Sequence, residues 1–343
     1  MDIDRQKNDK TMVFVTGASR SGTTMLSRML GNHSMIACFK ELHCFGDLVD
    51  PNKLQESIAK SEAIHLGQQI IARSKRDIWG SMDKEDCEEA KTIYRELDDA
   101  DLEVGQVLEQ IMTHLAVVQD KHIPCEQTPR NIFYARQLLK YYPHLHIVHI
   151  VRDPRDVLAS QKKRWKRKIL GGDNIPYTEI IRVWFNYHPY TMTTLWSKAT
   201  RFACELEAHE RFHLLKFEDI LSDPEVEIRK LCKILNISFE ASMINIPHVG
   251  SSHEINSDAP NGVSKSSLNR WKSYLNKGEI YICEWLADHE MQAFAYTKSE
   301  NAKPLSLSLI KQMLIYPIHI FGVLMSNPRR AWIQLQAVIG KSK

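Results

Sequence analysis

The apolar positions of this chain change rhythm along its length. Residues 12–16, Met-Val-Phe-Val-Thr, form a short apolar and β-branched run stopped by Gly17. That is the pattern of a strand buried on both faces of a parallel sheet. Past a polar loop, Met25, Leu26, Met29 and Leu30 recur at helical spacing, and 35–39 reads as a second strand. From about 52 to 120 the composition shifts to Glu, Lys, Gln, Ala and Ile, which predicts two or three helices and no strand. Strands return at 123–126 (weakened by Pro124), at 146–151 and at 212–217, with helices expected at 131–141, 154–167, 177–199 and 225–236. This alternation predicts an α/β fold of three layers, a central and mainly parallel sheet flanked by helices. The main domain is expected over 1–300, with a helical insertion at about 46–120, and residues 301–343 as an amphipathic helical tail.

Within that tail, 313–325 is apolar but only 13 residues long and contains Pro317, whereas a membrane span needs about 20 residues. Lys311, Arg329 and Arg330 flank it, and Trp332, Ile333, Leu335, Val338 and Ile339 follow at helical spacing. Two readings fit: a helix making peripheral membrane contact through 305–340, or one docking on the domain or on a partner subunit.

Composition narrows the class. The chain has 343 residues, 43% hydrophobic and 25% charged, as in an ordinary globular protein with a sizeable core. Its 45 Lys+Arg against 42 Asp+Glu leave a net charge of +3. Residues 162–168, Lys-Lys-Arg-Trp-Lys-Arg-Lys, hold six of those positive charges. The balance elsewhere argues against a general nucleic-acid binder, and the basic run suits either drawing in an anionic nucleotide or acceptor or simply a solvated helix face. The seven cysteines are an odd number without a C-x-x-C pair, neither a disulfide framework nor a zinc site. With no apolar leader pattern in the first residues, the expectation is a cytoplasmic protein, peripheral at the membrane if the tail binds lipid.

The chemistry is carried by residues 17–24, Gly-Ala-Ser-Arg-Ser-Gly-Thr-Thr, between a strand and a helix. Two glycines let the backbone wrap so that its N–H groups converge on an anion at the helix N-terminus. The spacing of Gly17 and Gly22 is that of a P-loop, but Thr23 stands where a kinase or ATPase has the lysine for its β/γ-phosphates. The positive charge comes earlier, at Arg20. A second element is 146–160, in which an apolar strand runs into Arg152-Asp-Pro-Arg-Asp156 and reaches Ser160. Asp153 suits the N-cap of the next helix and Pro154 its first turn. Arg152 at the carboxyl end of a strand and Ser160 two turns into the helix suit one phosphate, which arginine binds in bidentate fashion.

Residues 14–26 resemble the 5′-phosphosulfate loop of sulfotransferases that use 3′-phosphoadenosine 5′-phosphosulfate (PAPS), in the arginine variant of the carbohydrate and membrane-type branch. Residues 146–160 resemble the same family's 3′-phosphate motif. Gly262-Val-Ser-Lys-Ser-Ser-Leu-Asn-Arg-Trp271 is similar to the segment that closes over the nucleotide. The resemblance implies a P-loop-type fold, PAPS as co-substrate, and nucleotide contacts from Arg20, Ser21, Gly22, Thr23, Thr24, Arg152, Ser160, Lys265, Ser266 and Arg270. Lys40-Glu-Leu-His-Cys-Phe45 resembles a run of the glycan sulfotransferases. By that match Glu41 is the general base and His43 a substrate-orienting partner. No metal is required, and the His144/His146 pair lacks a third ligand in sequence. One departure stands out: Cys125-Glu-Gln-Thr-Pro129 has Gln127 where the family has a lysine at the reacting centre. The acceptor is expected to be a hydroxyl (less readily an amine) of a saccharide, glycolipid, lipid or other small molecule. Trp79, Trp165 and Trp184 suit either stacking on a sugar or core packing, with core packing favoured for Trp184. The alternatives are a P-loop phosphotransferase and a non-catalytic anion- or nucleic-acid-binding protein; the oligomeric state is left open.

Overall fold

The computed structural model describes residues 11–76, 78, 80–95, 102–163, 177–246, 262, 264–300 and 306–326. Contacts divide the chain into two units. One comprises Met1–Gly17, Gly22–Val151 and Phe202–Ile246, the other Ala18–Ser21, Arg152–Arg201 and Pro247–Lys343.

The first unit holds the sheet. Its strands are β1 (Met12–Gly17), β2 (Ile36–Cys38), β5 (Ile123–Gln127), β6 (Leu145–Val151) and β7 (Phe212–Lys216), in the order β2-β5-β1-β6-β7 and all parallel. β1 lies at the centre, pairing Met12–Gly17 with Leu145–Ile150 on one side and Val13–Val15 with Cys125–Gln127 on the other. Every residue of β1 is buried, which is why its sequence is a continuous apolar run and not an alternating one. β5 forms despite Pro124, whose register partner is Ala37 of the short strand β2.

Helices α1 (Thr23–Gly31), α2 (Lys60–Arg76), α3 (Lys84–Ile93), α4 (Val104–Val117) and α5 (Ala135–Tyr141) belong to this unit. The α1 stripe predicted from the sequence is the one that packs, with Leu26, Met29 and Leu30 fully buried. Among its described residues the 52–120 segment holds three α-helices, within the expected two or three, but also a small antiparallel pair that corrects the expectation of no strand. β3 (Ser57–Ile58) pairs with β4 (Leu102–Glu103). Two-residue strands are too short to leave a period in sequence. The strand expected over 212–217 stops at Lys216, because Phe217 opens helix α9 (Phe217–Ser222).

The second unit, among its described residues, is helical. Its elements are α6 (Pro154–Lys162), α7 (Tyr177–Asn186), most of α8 (Pro189–Leu206), α11 (Trp271–Tyr274), α12 (Lys277–Leu286), α13 (Asp288–Ala293) and α14 (Leu307–Ser326). The first unit also has α9 (Phe217–Ser222) and α10 (Pro224–Ile234). The single helix expected over 177–199 is two, because Pro189 cannot continue the first and its fixed φ starts the second. A core of Leu158, Ala159, Trp271, Leu275, Ile280 and Cys283 joins α6 to α11 and α12.

Trp184, expected in the core, is instead 45% exposed and stacks on His319 at the surface. Trp79 and Trp165 lie outside the described residues. So do residues 164–168 of the basic run, the end of the helix expected over 154–167, and the pattern at 332–339. Lys162, which begins the run, is not free for a ligand: it donates to Tyr274 O and to the buried carboxylate of Glu279 at 2.7 Å. The 13-residue apolar run of the tail sits inside a helix of 20 residues with Pro317 in its interior.

Leu26→Ala empties a fully buried position between α1 and the sheet. It should lower unfolding free energy by about 2–5 kcal/mol, read as an earlier midpoint in urea.

Candidate active site

Between β1 and α1 the chain must turn sharply, and two glycines allow it. A Cβ on Gly17 would stand 2.8 Å from the Ile150 carbonyl oxygen. Gly22 has φ 107°, and a Cβ there would meet the Phe217 ring at 2.5 Å. Arg20 is also left-handed, with φ 79°, so the loop curls as anion-cradling backbones do. Between them the Ser21 hydroxyl is buried and has no hydrogen-bond partner among the described residues. α1 begins without a side-chain cap and without a carboxylate in its first turn. Its free N–H groups and positive dipole end therefore suit a phosphate or sulfate group. Thr23 is buried at that turn and Thr24 is exposed.

In the second unit, the middle of this loop is tied to the segment after β6. Arg20 Nε donates to Ser160 Oγ at 3.0 Å, and Gln161 Nε2 to Ser19 O at 3.1 Å. Arg152 donates to Arg20 O at 3.2 Å and to Ser267 O at 2.7 Å. The buried Trp196 indole holds the Arg152 carbonyl at 3.0 Å. Asp153 caps α6 as expected, accepting from Arg155 N at 2.9 Å, and Arg155 bridges it to Glu284. Asp156 accepts the backbone N–H groups of Asn269 and Trp271 at 2.8 and 2.9 Å, fixing the end of the 262–271 segment. Arg20, Arg152, Ser160 and that segment are thus brought together. Lys265 and Ser266 are exposed, while Arg270 is engaged within the segment through Ser266 O at 2.6 Å.

In the first unit, the residues after β2 and β5 form a second cluster. His43 Nε2 lies 3.0 Å from Glu41 Oε2. Gln127 Nε2 donates to Thr24 Oγ1 at 3.2 Å and reaches Glu41 Oε1 at 3.5 Å. The glutamine that replaces the expected lysine therefore links the helix-opening hydroxyl to the carboxylate. Glu41 keeps 44% of its side chain exposed, whereas His43 is largely covered, and its buried Nδ1 has no partner among the described residues. His43 has φ 49°, a conformation a non-glycine residue holds only when its surroundings enforce it.

Those surroundings are residues the sequence reading passed over. Glu126, 1% exposed, accepts from Leu42 N at 3.2 Å and Asn131 Nδ2 at 2.8 Å, and Thr128 Oγ1 donates to it. Thr128 Oγ1 in turn accepts from His43 N at 3.2 Å. From the other side Arg73 donates to the carbonyls of Leu42 and His43 at 2.8 and 2.9 Å. Glu126 stands beside Gln127 in a quoted motif, so its neighbourhood was visible in sequence. Arg73, on α2 of the insertion, left no signal at all. Of the two strand histidines, His144 pairs with Glu109 at 3.0 Å and His146 with His213 at 2.9 Å. They serve different neighbours.

Residues 12–241 match the sulfotransferase family. The chain belongs to that family. It is 26% identical over 264 residues to protein-tyrosine sulfotransferase 1 of Danio rerio, covering 76% of this chain and 61% of that protein. It is 23% identical to the protein-tyrosine sulfotransferase of Drosophila melanogaster, covering 76% of this chain and 43% of that one. This chain thus spans less than two thirds of either relative's length. In structure it is similar to the sulfotransferase domain from the curacin biosynthetic pathway. There the TM-score is 0.53 at 18% identity, over 84% of this chain and 99% of that domain.

Burial raises the Glu126 carboxyl to about 7 from an ordinary 4.5, although Thr128 and the Leu42 amide favour its charged form. Between those two values the folded protein keeps a proton that the unfolded chain has released, so stability falls as pH rises through this window. The loss approaches ~3 kcal/mol. Glu126→Gln should flatten the pH dependence of the urea midpoint between 4.5 and 7.

Proposed function

We propose that this chain transfers the sulfuryl group of PAPS to an acceptor hydroxyl, with Glu41 as general base. The observation that carries the reading is the cluster of Glu41, His43, Gln127 and Thr24, reached by chain continuity from a phosphate-binding loop. PAPS supplies an activated sulfuryl group whose leaving group is adenosine 3′,5′-bisphosphate. The buried Ser21 hydroxyl, the uncapped α1 and the left-handed loop fit an anionic 5′ group. Arg152 and Ser160 fit the 3′-phosphate, with Lys265 and Ser266 exposed on the segment that Arg152 holds.

In the transfer, the acceptor O–H gives its proton to Glu41 as its oxygen forms a bond to sulfur. The sulfur–oxygen bond to the nucleotide phosphate breaks, leaving the electron pair on that phosphate. The loop amides and the α1 N-terminus stabilise the developing negative charge. His43 holds the Glu41 carboxylate in one orientation, and Gln127 offers a neutral donor where a lysine would offer charge.

For the acceptor, the resemblance of 40–45 favours a saccharide or glycolipid hydroxyl. The names of the two curated relatives favour a second reading, the phenol of a protein tyrosine. A phenol, with an ordinary pKa of about 10, gives up its proton more readily than an alcohol, which suits a centre lacking the lysine charge.

Glu41→Gln should bind adenosine 3′,5′-bisphosphate normally in calorimetry and lose roughly 100-fold or more of transfer from radiolabelled PAPS. A variant with both properties intact removes Glu41 from the base role. Arg152→Ala should weaken bisphosphate binding about tenfold or more, and EDTA should leave wild-type binding unchanged. A panel of sugar, lipid, phenol and tyrosyl-peptide acceptors decides between the two acceptor readings.

A further inference from the structure

Helix α14 carries its polarity the wrong way round for a helix on a water-soluble protein. Apart from the exposed Lys311 and Ser326, its polar groups turn toward the other helices of the second unit. Gly278 N donates to Ser308 Oγ at 2.9 Å, His188 Nε2 meets Gln312 O at 3.0 Å, and His319 Nδ1 meets Phe185 O at 3.0 Å. The Tyr316 ring lies against His188 and Tyr190. Packing on this side is close: a Cβ on Gly322 would sit 2.0 Å from the Phe185 ring, and one on Gly278 would sit 2.5 Å from Leu309 N. The opposite face is apolar and bare. Leu307, Met313, Leu314, Ile318, Phe321 and Met325 are each between 57% and 87% exposed. At 100° per residue they fall on one stripe, about 30 Å long, with Lys311 at its edge. A surface helix of a soluble domain turns its apolar stripe inward and its polar face to water; this one does the reverse. A monomeric soluble protein rarely leaves such a stripe uncovered. The neighbouring helix α7 adds exposed Ile181 and Trp184.

Charge says what covers it. Residues 301–343 contain no Asp or Glu and six basic residues: Lys303, Lys311, Arg329, Arg330, Lys341 and Lys343. Apolar residues beside cationic ones, with acids excluded, complement a negatively charged lipid surface. A second protein copy would bring the same positive charge against itself. The helix has the length and mean hydropathy, 20 residues and 1.5, of a membrane span. Spanning, however, would strip it from His188, Phe185 and Gly278 and place Gln312 and His319 in hydrocarbon.

We propose that α14 is an in-plane membrane anchor, which keeps its polar side on the protein and sinks the Leu307–Met325 stripe into the headgroup and acyl boundary of an anionic bilayer. The proposal does not rest on the sulfuryl-transfer reading, and its test uses no activity measurement.

The full chain is sedimented with vesicles of phosphatidylcholine alone and of phosphatidylcholine with phosphatidylserine. Wild-type protein should pellet with the mixed vesicles, bind neutral ones far less, and leave the pellet in alkaline carbonate. Leu314→Glu combined with Phe321→Glu, both exposed and so compatible with the fold, should reduce pelleting roughly tenfold or more with the melting temperature unchanged. Ser308→Glu, on the docked side, should alter the melting temperature before it alters lipid binding. The proposal is overturned if wild-type protein stays in the supernatant or the double variant pellets as well as wild type. Carbonate resistance makes the helix a span. If the double variant changes sedimentation equilibrium from dimer to monomer without changing lipid binding, the stripe belongs to a second copy.

Discussion

The arrangement depends on β1 running parallel to both of its neighbours. Parallel pairing places the carboxyl ends of adjacent strands side by side, and here the register sets Gly17 against Ile150 and Val15 against Gln127. The chain therefore leaves β1 into the glycine loop, β5 at Gln127 and β6 at Arg152 from one edge of the sheet. Ligands of open parallel sheets bind at that edge because loops and helix N-termini gather there. A slip of one residue in β1 would exchange its two faces and misplace every side chain packed above and below the sheet, so the core that stabilises the sheet also fixes where the loop begins.

Each unit then uses the same device to hold a functional segment still: a buried carboxylate that accepts backbone N–H groups. Glu126 takes the amide of Leu42, and Thr128, donating to Glu126, takes that of His43. Asp156 takes those of Asn269 and Trp271. A carboxylate in such a place is costly to desolvate, which is why both groups are pushed toward the neutral form by burial. The return is geometric. With Glu126 below and Arg73 on the carbonyls, residues 41–43 have little freedom, and His43 is kept left-handed facing Glu41. Gln127 depends on the same framework, since its side chain reaches both Thr24 and Glu41 only from the end of β5.

Charge and apolar surface are distributed less simply than the composition suggests. The basic run that dominates the net charge opens with Lys162, which is used inside the second unit on Glu279 together with the Tyr187 hydroxyl. The apolar content of the tail, by contrast, is not spent on the core. α14 satisfies His319, the Gln312 carbonyl and the Ser308 hydroxyl against α7, His188 and α12, and presents hydrocarbon outward. The hydrophobic effect that buries Leu26 and Met29 in the first unit leaves this stripe exposed among the described residues.

The sequence alone determined the α/β class, the five strands of the sheet, the glycine loop and the arginine motif. Each of these depends on local pattern: an apolar run long enough to show its period, or a glycine where φ must be positive. Glu41, His43 and the Gln127 departure were legible by resemblance, as was the family. Tertiary structure alone decided what holds them. Arg73 comes from an insertion helix some 30 positions away in sequence, the pair β3–β4 is too short to have a period, and the break before Pro189 was smoothed over by the helical residues on either side. The tail shows the difference most clearly. Its apolar letters and its lack of acids were on the page from the start, but which face of α14 is docked depends on histidine and glycine contacts with helices far away in the chain. Only those contacts turn an apolar run into an outward-facing stripe.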